Sequence, residues 1–264
     1  MQAFIIDLDG TLFRGTEMIP GADLFIQQLR ERKLPFLLMT NNSTRTAAEV
    51  ARHMQGMGIP AEETDVFTSA QAAAQYWDEE QQGKRVFVIG ETGLREALKD
   101  RGFELVDEAP DVVIQGIDRK FDYEKLTAAV RHIRAGAKSI ITNPDHLLPS
   151  DGGFLPGAGS IAAAIERATG VQPVVIGKPS PIIMRYAMAR LGAAADRTLV
   201  VGDNCVTDIG GGAAAGCRTA LMLTGLATVS NWREHAEAAG VQPDLVCHGL
   251  DELLHKAMSI ESIS

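Results

Sequence analysis

Two acidic residues near the start of the chain are spaced for chemistry. Asp7 and Asp9 stand one residue apart, directly after the apolar run Ala3–Ile6, which is typical of a buried strand. In open α/β sheets, ligands bind at the carboxyl ends of strands. Two carboxylates held there repel each other unless a cation lies between them or one of them carries a proton. The spacing predicts a metal-assisted site with one acid as nucleophile and the other as proton carrier; a simple turn at Asp9-Gly10 is the alternative.

A polar cluster follows the second apolar run of the chain. Thr40, Asn41, Asn42 and Ser43 come directly after residues 36–39. A hydroxyl group and backbone N–H groups at the start of a helix can bind a phosphate oxygen. An ordinary helix N-cap formed by Asn42 or Ser43 is the alternative interpretation.

A lysine stands at a third strand end. Lys178 lies between Gly177 and Pro179, after the apolar stretch 173–176, and not on a solvated helix face. Its ammonium group is suited to neutralise both a phosphate and a nucleophilic aspartate, whereas a surface lysine in a turn is the alternative. A Walker A phosphate loop is excluded, because six residues rather than four separate Gly170 from Gly177 and a proline follows the lysine.

The apolar run at residues 198–201 leads to another pair of acids. Asp203 follows it after one glycine, and Asp208 comes five residues later. Carboxylates at a strand end suit Mg²⁺, which binds a few carboxylates and retains several water molecules. Asp208 has two other interpretations: an acid that interacts with the dipole at a helix N-terminus, or a residue that positions Asp203 or a metal-bound water.

The elements that must position these residues alternate along the whole chain. Strand-like apolar runs and helical patterns follow one another, which is typical of a parallel α/β sheet. The polar stretch at residues 81–84 resembles a hinge, and a second α/β series begins after it. The Gly- and Pro-rich stretch 149–159 is predicted to be loop, and residues 158–169 an alanine-rich helix. Strands are predicted at 3–6, 35–39, 85–89, 111–116, 139–142, 174–176, 198–201, 219–223 and 244–247.

The composition limits the function classes. The 264 residues are 45% hydrophobic, which is ordinary for a globular protein, and their net charge is −9. This charge disfavours non-specific binding to nucleic acid polymers. No apolar stretch approaches the roughly 20 residues that cross a bilayer, so we expect neither a membrane segment nor a signal peptide. Three widely spaced cysteines, Cys205, Cys217 and Cys247, predict reduced thiols and a cytoplasmic protein.

The four strand-end motifs, in this order, resemble those of the haloacid dehalogenase (HAD) superfamily of Mg²⁺-dependent phosphatases. The residues that match motifs one to four are, in order, Asp7 with Asp9, Thr40, Lys178, and Asp203 with Asp208. The segments TNNS, ITNPD, GKPSP and GDNxxTDI are similar to those of the NagD-like (p-nitrophenyl phosphatase) subfamily. The resemblance covers essentially the whole chain and implies a Rossmann-like HAD core built on a parallel sheet.

The resemblance also implies a second domain. Only about a dozen residues separate Asp9 from the next predicted helix, too few for a domain, whereas Lys178 lies 138 positions after Thr40. About 95 of those residues remain for an inserted α/β cap domain of the C2 type. We therefore expect a HAD core formed by residues 1–79 and 176–264, and a cap formed by residues 80–175.

The resemblance implies a role for each acidic residue of the motifs. Asp7 would attack phosphorus and form an aspartyl phosphate. Asp9 would protonate the leaving group and later take a proton from water. The side chains of Asp7 and Asp203 and the main-chain carbonyl of Asp9 would hold Mg²⁺. Asp208 would lie outside the direct ligands of the metal and support them.

The resemblance also implies contacts to the substrate from the core motifs and from the inserted domain. Thr40, Lys178 and the backbone beside Asn41 would bind the phosphoryl oxygens. In this subfamily the loop that corresponds to Thr142-Asn143-Pro144-Asp145 faces the core site, where Asn143 and Asp145 could contact the leaving group. A plain turn is the alternative for Asn143-Pro144-Asp145. The residues expected to bind substrate are Asn41, Asn42, Asn143 and Asp145.

The expected activity is hydrolysis of a small phosphorylated metabolite. The presence of Asp9 and Asp203 argues for a phosphate ester rather than a carbon–halogen bond, whose cleavage needs neither a leaving-group acid nor a metal. A phosphotransferase or phosphomutase that uses the same aspartyl phosphate is one alternative, and a receiver-like binding module without enzymatic activity is another. Dimers formed through the cap are common in this subfamily, so a homodimer is one expectation, and the resemblance leaves both the oligomeric state and the physiological substrate open.

Overall fold

The apolar runs of the sequence form two parallel sheets in a computed structural model, which describes residues 3–150 and 153–259. The predicted α/β fold is confirmed. The chain divides into two compact units. The first contains Met1–Thr40, Ala48–Phe67 and Lys178–Ser264, and the second contains Asn41–Ala47 and Thr68–Gly177. The domain boundaries predicted at residues 80 and 175 stay a prediction.

A six-stranded sheet forms the centre of the first unit. Ala3–Ile6 pairs in parallel with both neighbours, with Ile6 opposite Val201 on one side and Leu38 on the other. All four of its residues are buried, as expected for a central strand. The chain extends the sheet first to one side of this strand and then to the other, so its carboxyl end lies at the switch point where α/β sheets bind ligands. The strand order is Leu245–Cys247, Arg218–Met222, Thr198–Gly202, Ala3–Ile6, Phe36–Thr40 and Val66–Thr68.

Helix Ala22–Glu31 illustrates how the helices of the first unit attach to its sheet. Its buried residues Phe25, Ile26 and Leu29 recur at helical spacing, and the ring of Phe25 packs edge-on against Phe4 of the central strand with 6.3 Å between centroids. The other helices of this unit are Ala47–Gly56, Pro181–Leu191, Gly211–Ala214, Trp232–Ala239 and Leu250–Ser259. Its shorter elements are the helical turns Glu63–Asp65, Ala195–Arg197 and Cys205–Gly210, and the hairpin of Phe13–Arg14 with Glu17–Met18.

A five-stranded parallel sheet forms the centre of the second unit. Its strand order is Val174–Val175, Lys138–Ile141, Val112–Gln115, Arg85–Ile89 and Glu104–Leu105. Its helices are Ser69–Glu80, Thr92–Asp100, Tyr123–Arg134 and Ala158–Thr169. Phe87, Val113, Ile133 and Ile165 pack together between the sheet and two of these helices. The second unit therefore has a hydrophobic core of its own.

One prediction for the second unit was wrong. The stretch 149–159, predicted as loop, contributes to an antiparallel hairpin of Leu147–Ser150 with Gly153–Pro156. The prolines in this stretch led to the loop prediction, because proline is depleted in strands except at edges. Two other strands, Val66–Thr68 and Glu104–Leu105, are three and two residues long and too short to produce a recognisable pattern.

The cysteines are relevant to the predicted reducing compartment, and the helix lengths to the prediction that the chain has no membrane segment. Cys205, Cys217 and Cys247 are free and buried. Burial raises the pKa of the Cys217 and Cys247 thiols to about 11, so both remain protonated near neutral pH. Within the described ranges, no helix is long and apolar enough to cross a membrane.

Candidate active site

The first unit brings three predicted site acids together at the carboxyl edge of its sheet. Asp7 directly follows Ala3–Ile6, and its N–H donates to the carbonyl of Val201, 2.8 Å away, so the ladder continues to the end of the strand. Asp203 directly follows the neighbouring strand Thr198–Gly202. Carboxylate oxygens of Asp7, Asp203 and Asp208 lie within 4.8 Å of one another. The sheet register thus turns residues distant in sequence into one acidic cluster.

Lys178 lies inside this cluster. Its ammonium Nζ is 2.5 Å from Asp7 Oδ1 and 2.7 Å from Asp208 Oδ1, and its side chain is only 3% exposed. It also lies 3.4 Å from the carbonyl of Met39, the residue before Thr40. The alternative of a surface lysine in a turn is therefore wrong. Three of the four sequence motifs meet at this ammonium group, and the second lies one residue away.

Asp208 is positioned by an unusual turn. The π-helical turn Cys205–Gly210 brings Asp208 back beneath the strand end, where its side chain is 2% exposed. Asp208 Oδ2 accepts from the N–H of Asn204 at 3.1 Å, while Oδ1 accepts from Lys178. A methyl group at Gly202 would lie 2.2 Å from the Asp208 carboxyl carbon, so the glycine permits this close approach. Asp208 thus gives the Lys178 ammonium a second carboxylate partner besides Asp7.

The burial of several charges changes the protonation equilibria of the cluster. Burial raises the pKa of Asp7 well above its usual range; Lys178 opposes this change, and the charges of Asp208 and Asp203 add to it. Burial and then the nearby Asp208 raise the pKa of Asp203 to about 7. For Lys178, burial alone would lower the pKa, but the carboxylates of Asp208 and Asp7 outweigh burial and raise it. The ammonium group therefore stays charged, whereas the raised pKa values of Asp7 and Asp203 favour the protonated forms of these two acids when no cation is bound.

Asp9 lies on the turn that follows the central strand, and its position differs from that of Asp7. Asp9 is exposed, whereas Asp7 is only 12% exposed. The next residue, Gly10, has φ of 84° and donates its N–H to the carbonyl of Phe13 at 2.7 Å, which closes the turn into the hairpin. The turn interpretation thus describes the backbone here. It does not oppose a chemical role, because Asp9 is exposed on this turn.

Thr40 ends the strand next to the central one. It is 4% exposed and is the last residue of Phe36–Thr40. The helix that follows begins only at Ala47, so Asn42 and Ser43 are too far from it to be its N-cap. Asn42 Oδ1 instead accepts from the N–H of Thr44 at 2.8 Å and from its hydroxyl at 2.7 Å, which fixes a local turn.

The predicted substrate residues of the second unit form a network with one another. Asn41 Nδ2 donates to Asp145 Oδ2 at 3.0 Å, and Asn143 Nδ2 donates to the carbonyl of Asn41 at 2.8 Å. Asn143 Oδ1 also accepts from the N–H of Asp145 at 3.1 Å, so the predicted turn is present. The two cap residues thus hold Asn41, a contact between residues 102 and 104 positions apart that the sequence did not indicate. Their contact with substrate stays a prediction.

Comparison with known proteins identifies the family. The profile described as haloacid dehalogenase-like hydrolase matches residues 4–104, and one described as HAD-hydrolase-like matches residues 175–253. The chain is 43% identical over 252 residues to the 5′-nucleotidase YutF of Bacillus subtilis, covering 96% of each protein. The chain belongs to the haloacid dehalogenase-like hydrolase family. The two matched HAD segments contain the strand ends that carry Asp7, Thr40, Lys178 and Asp203.

Other HAD proteins are similar to this chain in sequence and in structure. An acid sugar phosphatase of Staphylococcus epidermidis is 44% identical over 228 residues, covering 86% of this chain and 88% of that protein. The p-nitrophenyl phosphatase of Archaeoglobus fulgidus superimposes with a TM-score of 0.92 at 34% identity, covering 97% of this chain and 98% of that one. NagD of E. coli K-12 gives 0.89 at 32% identity, with 96% and 98% covered. These matches confirm the resemblance to NagD-like HAD phosphatases.

One solved HAD structure contains a metal. The glycerol phosphate phosphatase of Mycobacterium tuberculosis, in complex with magnesium, superimposes with a TM-score of 0.87 at 39% identity. The match covers 96% of this chain and 76% of that one. A related HAD protein therefore binds the cation that the acidic cluster predicts.

Proposed function

We propose that this HAD hydrolase is a Mg²⁺-dependent phosphatase that hydrolyses small phosphomonoesters through an aspartyl phosphate. The contact of the buried Lys178 ammonium with Asp7, beside Asp203, is the observation that carries the proposal. Burial disfavours the ionised form of Asp7, whereas the ammonium favours it. Attack on phosphorus needs the ionised carboxylate, so the ammonium of Lys178 favours the reactive form of the nucleophile against the effect of burial.

The chemistry of the donor set fits Mg²⁺. Carboxylate oxygens of Asp7 and Asp203 lie within 4.8 Å of each other, and Mg²⁺ binds to a few carboxylates in proteins. Asp7 and Asp203, with the main-chain carbonyl of Asp9, would hold the ion, because both oxygens of Asp208 already accept from Lys178 and Asn204. Burial disfavours the ionised forms of Asp7 and Asp203, and a divalent cation beside them would favour those forms. Bound Mg²⁺ supplies positive charge to the phosphoryl group and orients it for attack.

The residues of the chain perform the two chemical steps. An oxygen of Asp7 bonds to phosphorus as the bond from phosphorus to the leaving oxygen breaks, and Asp9 gives that oxygen a proton. In the second step, Asp9 takes a proton from water, whose oxygen bonds to phosphorus as the bond from Asp7 breaks and inorganic phosphate leaves. Lys178, Thr40 and the backbone at Asn41 bind the phosphoryl oxygens throughout.

Removal of divalent metal is expected to abolish the activity. In excess EDTA, the rate of p-nitrophenyl phosphate hydrolysis should fall below about 1% of its value in Mg²⁺ and recover when Mg²⁺ is restored. The assay follows nitrophenolate and inorganic phosphate in parallel. Equal amounts support hydrolysis, and a shortfall of phosphate in the presence of an alcohol acceptor supports the phosphotransferase alternative. Full activity in EDTA would contradict the proposed metal site.

The proposed substrate class is broad within small phosphomonoesters. The relatives are named as a 5′-nucleotidase, an acid sugar phosphatase and a glycerol phosphate phosphatase. The alcohol portions of nucleotides, sugar phosphates and glycerol phosphate share little chemistry. The phosphoryl group is their common element, and the core site of this chain provides the residues suited to bind it. A panel of nucleoside monophosphates, sugar phosphates and glycerol phosphate, ranked by kcat/KM, identifies the preferred member.

We propose that Asp145 contributes to the choice among substrates. Asp145→Ala is expected to change the ratios of kcat/KM within the panel about threefold to tenfold, since it removes one polar contact, and to affect p-nitrophenyl phosphate less. The same loss for every substrate would instead assign Asp145 only to holding Asn41. Asp107→Ala, elsewhere in the second unit, is the control for loss of one acid.

Two further proposals concern the setting of the enzyme. A cytoplasmic location is supported by the three buried free thiols, which are typical of a reducing compartment. A homodimer formed through the cap is supported by the family resemblance.

A further inference from the structure

The segment Leu223–Ala227, which the sequence motifs did not single out, lies at the acidic cluster. It follows the strand Arg218–Met222, which pairs in parallel with Thr198–Gly202 so that Leu221 lies opposite Gly202. The register places the segment beside Asp203 at the carboxyl edge of the sheet. We call residues 223–227 the bracket segment.

The bracket segment holds Asp203 through its backbone. The N–H of Leu226 donates to Asp203 Oδ2 at 2.6 Å, and the N–H of Ala227 donates to the carbonyl of Asp203 at 3.1 Å. A methyl group at Gly225 would lie 1.9 Å from Asp203 Oδ2, so only glycine leaves room for this approach. The carboxylate of Asp203 is therefore fixed on one side by the bracket segment.

The same segment holds the turn that carries Asp9. The hydroxyl of Thr224 donates to the carbonyl of Gly10 at 2.7 Å, and Arg14 Nε donates to the carbonyl of Thr224 at 2.6 Å. A methyl group at Gly10 would lie 3.1 Å from the Cα of Gly225, so the two backbones are in close contact. The hydroxyl of Thr224 is the side-chain link between the Asp9 turn and the segment that fixes Asp203.

We infer that Thr224 is a positioning residue: by fixing the Gly10 carbonyl it holds the turn that carries the Asp9 carbonyl in place relative to Asp203, and so sets the geometry with which Asp9 and Asp203 hold Mg²⁺. The inference rests on the proposed function, in which the Asp9 carbonyl and Asp203 are ligands. Gly10 has no side chain to restrain it, and its φ of 84° is one of several values that glycine adopts readily. The hydrogen bond from Thr224 to the Gly10 carbonyl, together with the bond from the Gly10 N–H to the Phe13 carbonyl, favours one orientation of the turn before the ion binds. Such preorganisation improves binding without adding a ligand.

The test compares variants at Thr224 by direct Mg²⁺ binding. Thr224→Val keeps the shape and removes the hydroxyl, and we expect it to weaken Mg²⁺ binding about threefold to tenfold in titration calorimetry, as the loss of one hydrogen bond implies. The value of kcat should fall at limiting Mg²⁺, while KM for p-nitrophenyl phosphate at saturating Mg²⁺ stays within about twofold, because Thr40 and Lys178 are untouched. Thr224→Ser should restore binding.

Two further variants distinguish a specific effect on Mg²⁺ binding from a general effect on the structure. Thr228→Val removes a hydroxyl just beyond the bracket segment whose partner is Ser230, and should bind Mg²⁺ like the wild type. Arg14→Met removes the bond to the Thr224 carbonyl from an exposed side chain, and should weaken Mg²⁺ binding with little change in melting temperature. Wild-type Mg²⁺ affinity in both Thr224→Val and Arg14→Met overturns the inference alone. A wild-type chain that binds no Mg²⁺ overturns the proposed function, and the inference with it.

Discussion

Asp7→Asn is expected to lower kcat for p-nitrophenyl phosphate by at least about 10⁴-fold, because an amide does not attack phosphorus and no aspartyl phosphate forms. The fold should survive, since asparagine has nearly the same shape and Lys178 keeps its bond to Asp208. The substitution also removes one of three crowded carboxylates, which offsets the loss of the ion pair with Lys178. Steady-state kinetics in saturating Mg²⁺, with circular dichroism melts in parallel, measure both effects.

The matched control is Asp78→Asn in the second unit. Asp78 also forms ion pairs, with Lys84 and Arg101, but they lie at the surface, where each is worth little. The same loss of one charge there should leave kcat within about twofold of wild type. Phosphatase activity of Asp7→Asn above about a tenth of wild type would rule out Asp7 as the nucleophile. Mass spectrometry of quenched wild-type protein should, in addition, find a phosphoryl group on Asp7.

The sequence predicted much of the candidate site because Asp7, Thr40 and Asp203 each lie at the end of an apolar run. A buried strand is a local pattern, and the carboxyl ends of parallel strands meet at one edge whatever the loops between them do. Asp7, Thr40 and Asp203 are therefore placed as soon as their strands are recognised. Lys178 and Asp208 are harder, since their partners depend on how the following turns fold back. For Asp208, that turn is π-helical, a form without a clear local signal.

The rest of the site depends on contacts between residues far apart in sequence. Thr224-Gly225 has the composition of an ordinary turn, and only the register of Arg218–Met222 beside Thr198–Gly202 brings it to Asp203 and Gly10. The hydrogen bond from Asn41 to Asp145 could not be predicted from the sequence either, because each residue also suits a local turn. Local pattern thus located most residues of the candidate site, whereas the residues that contact and position them could be found only in the folded chain.

Lys178→Met is expected to reduce both activity and stability. Without the ammonium, Asp7 and Asp208 face each other buried and without their shared partner, and removal of one member of a buried ion pair typically costs about 3–5 kcal/mol in the free energy of unfolding. Activity should fall about 10³-fold or more, because a preorganised charge is lost from the phosphoryl group and from the nucleophile. Denaturant unfolding in EDTA measures the stability without a contribution from bound metal. Lys99→Met, which breaks an exposed pair with Glu96, should change either quantity only slightly.

The double variant Lys178→Met with Asp208→Asn separates the two effects. The neutral amide introduced at position 208 would no longer repel Asp7, and its oxygen can still accept from the N–H of Asn204, so at least half of the lost stability should return. Activity should remain as low as in Lys178→Met, since the positive charge that phosphate binding requires is still missing. Recovery of activity together with stability would mean that Lys178 only neutralises Asp208. Wild-type stability of Lys178→Met would mean that Asp7 and Asp208 relieve their repulsion by taking up a proton. In that case the raised pKa of Asp7, rather than the ion pair, governs the cluster without metal.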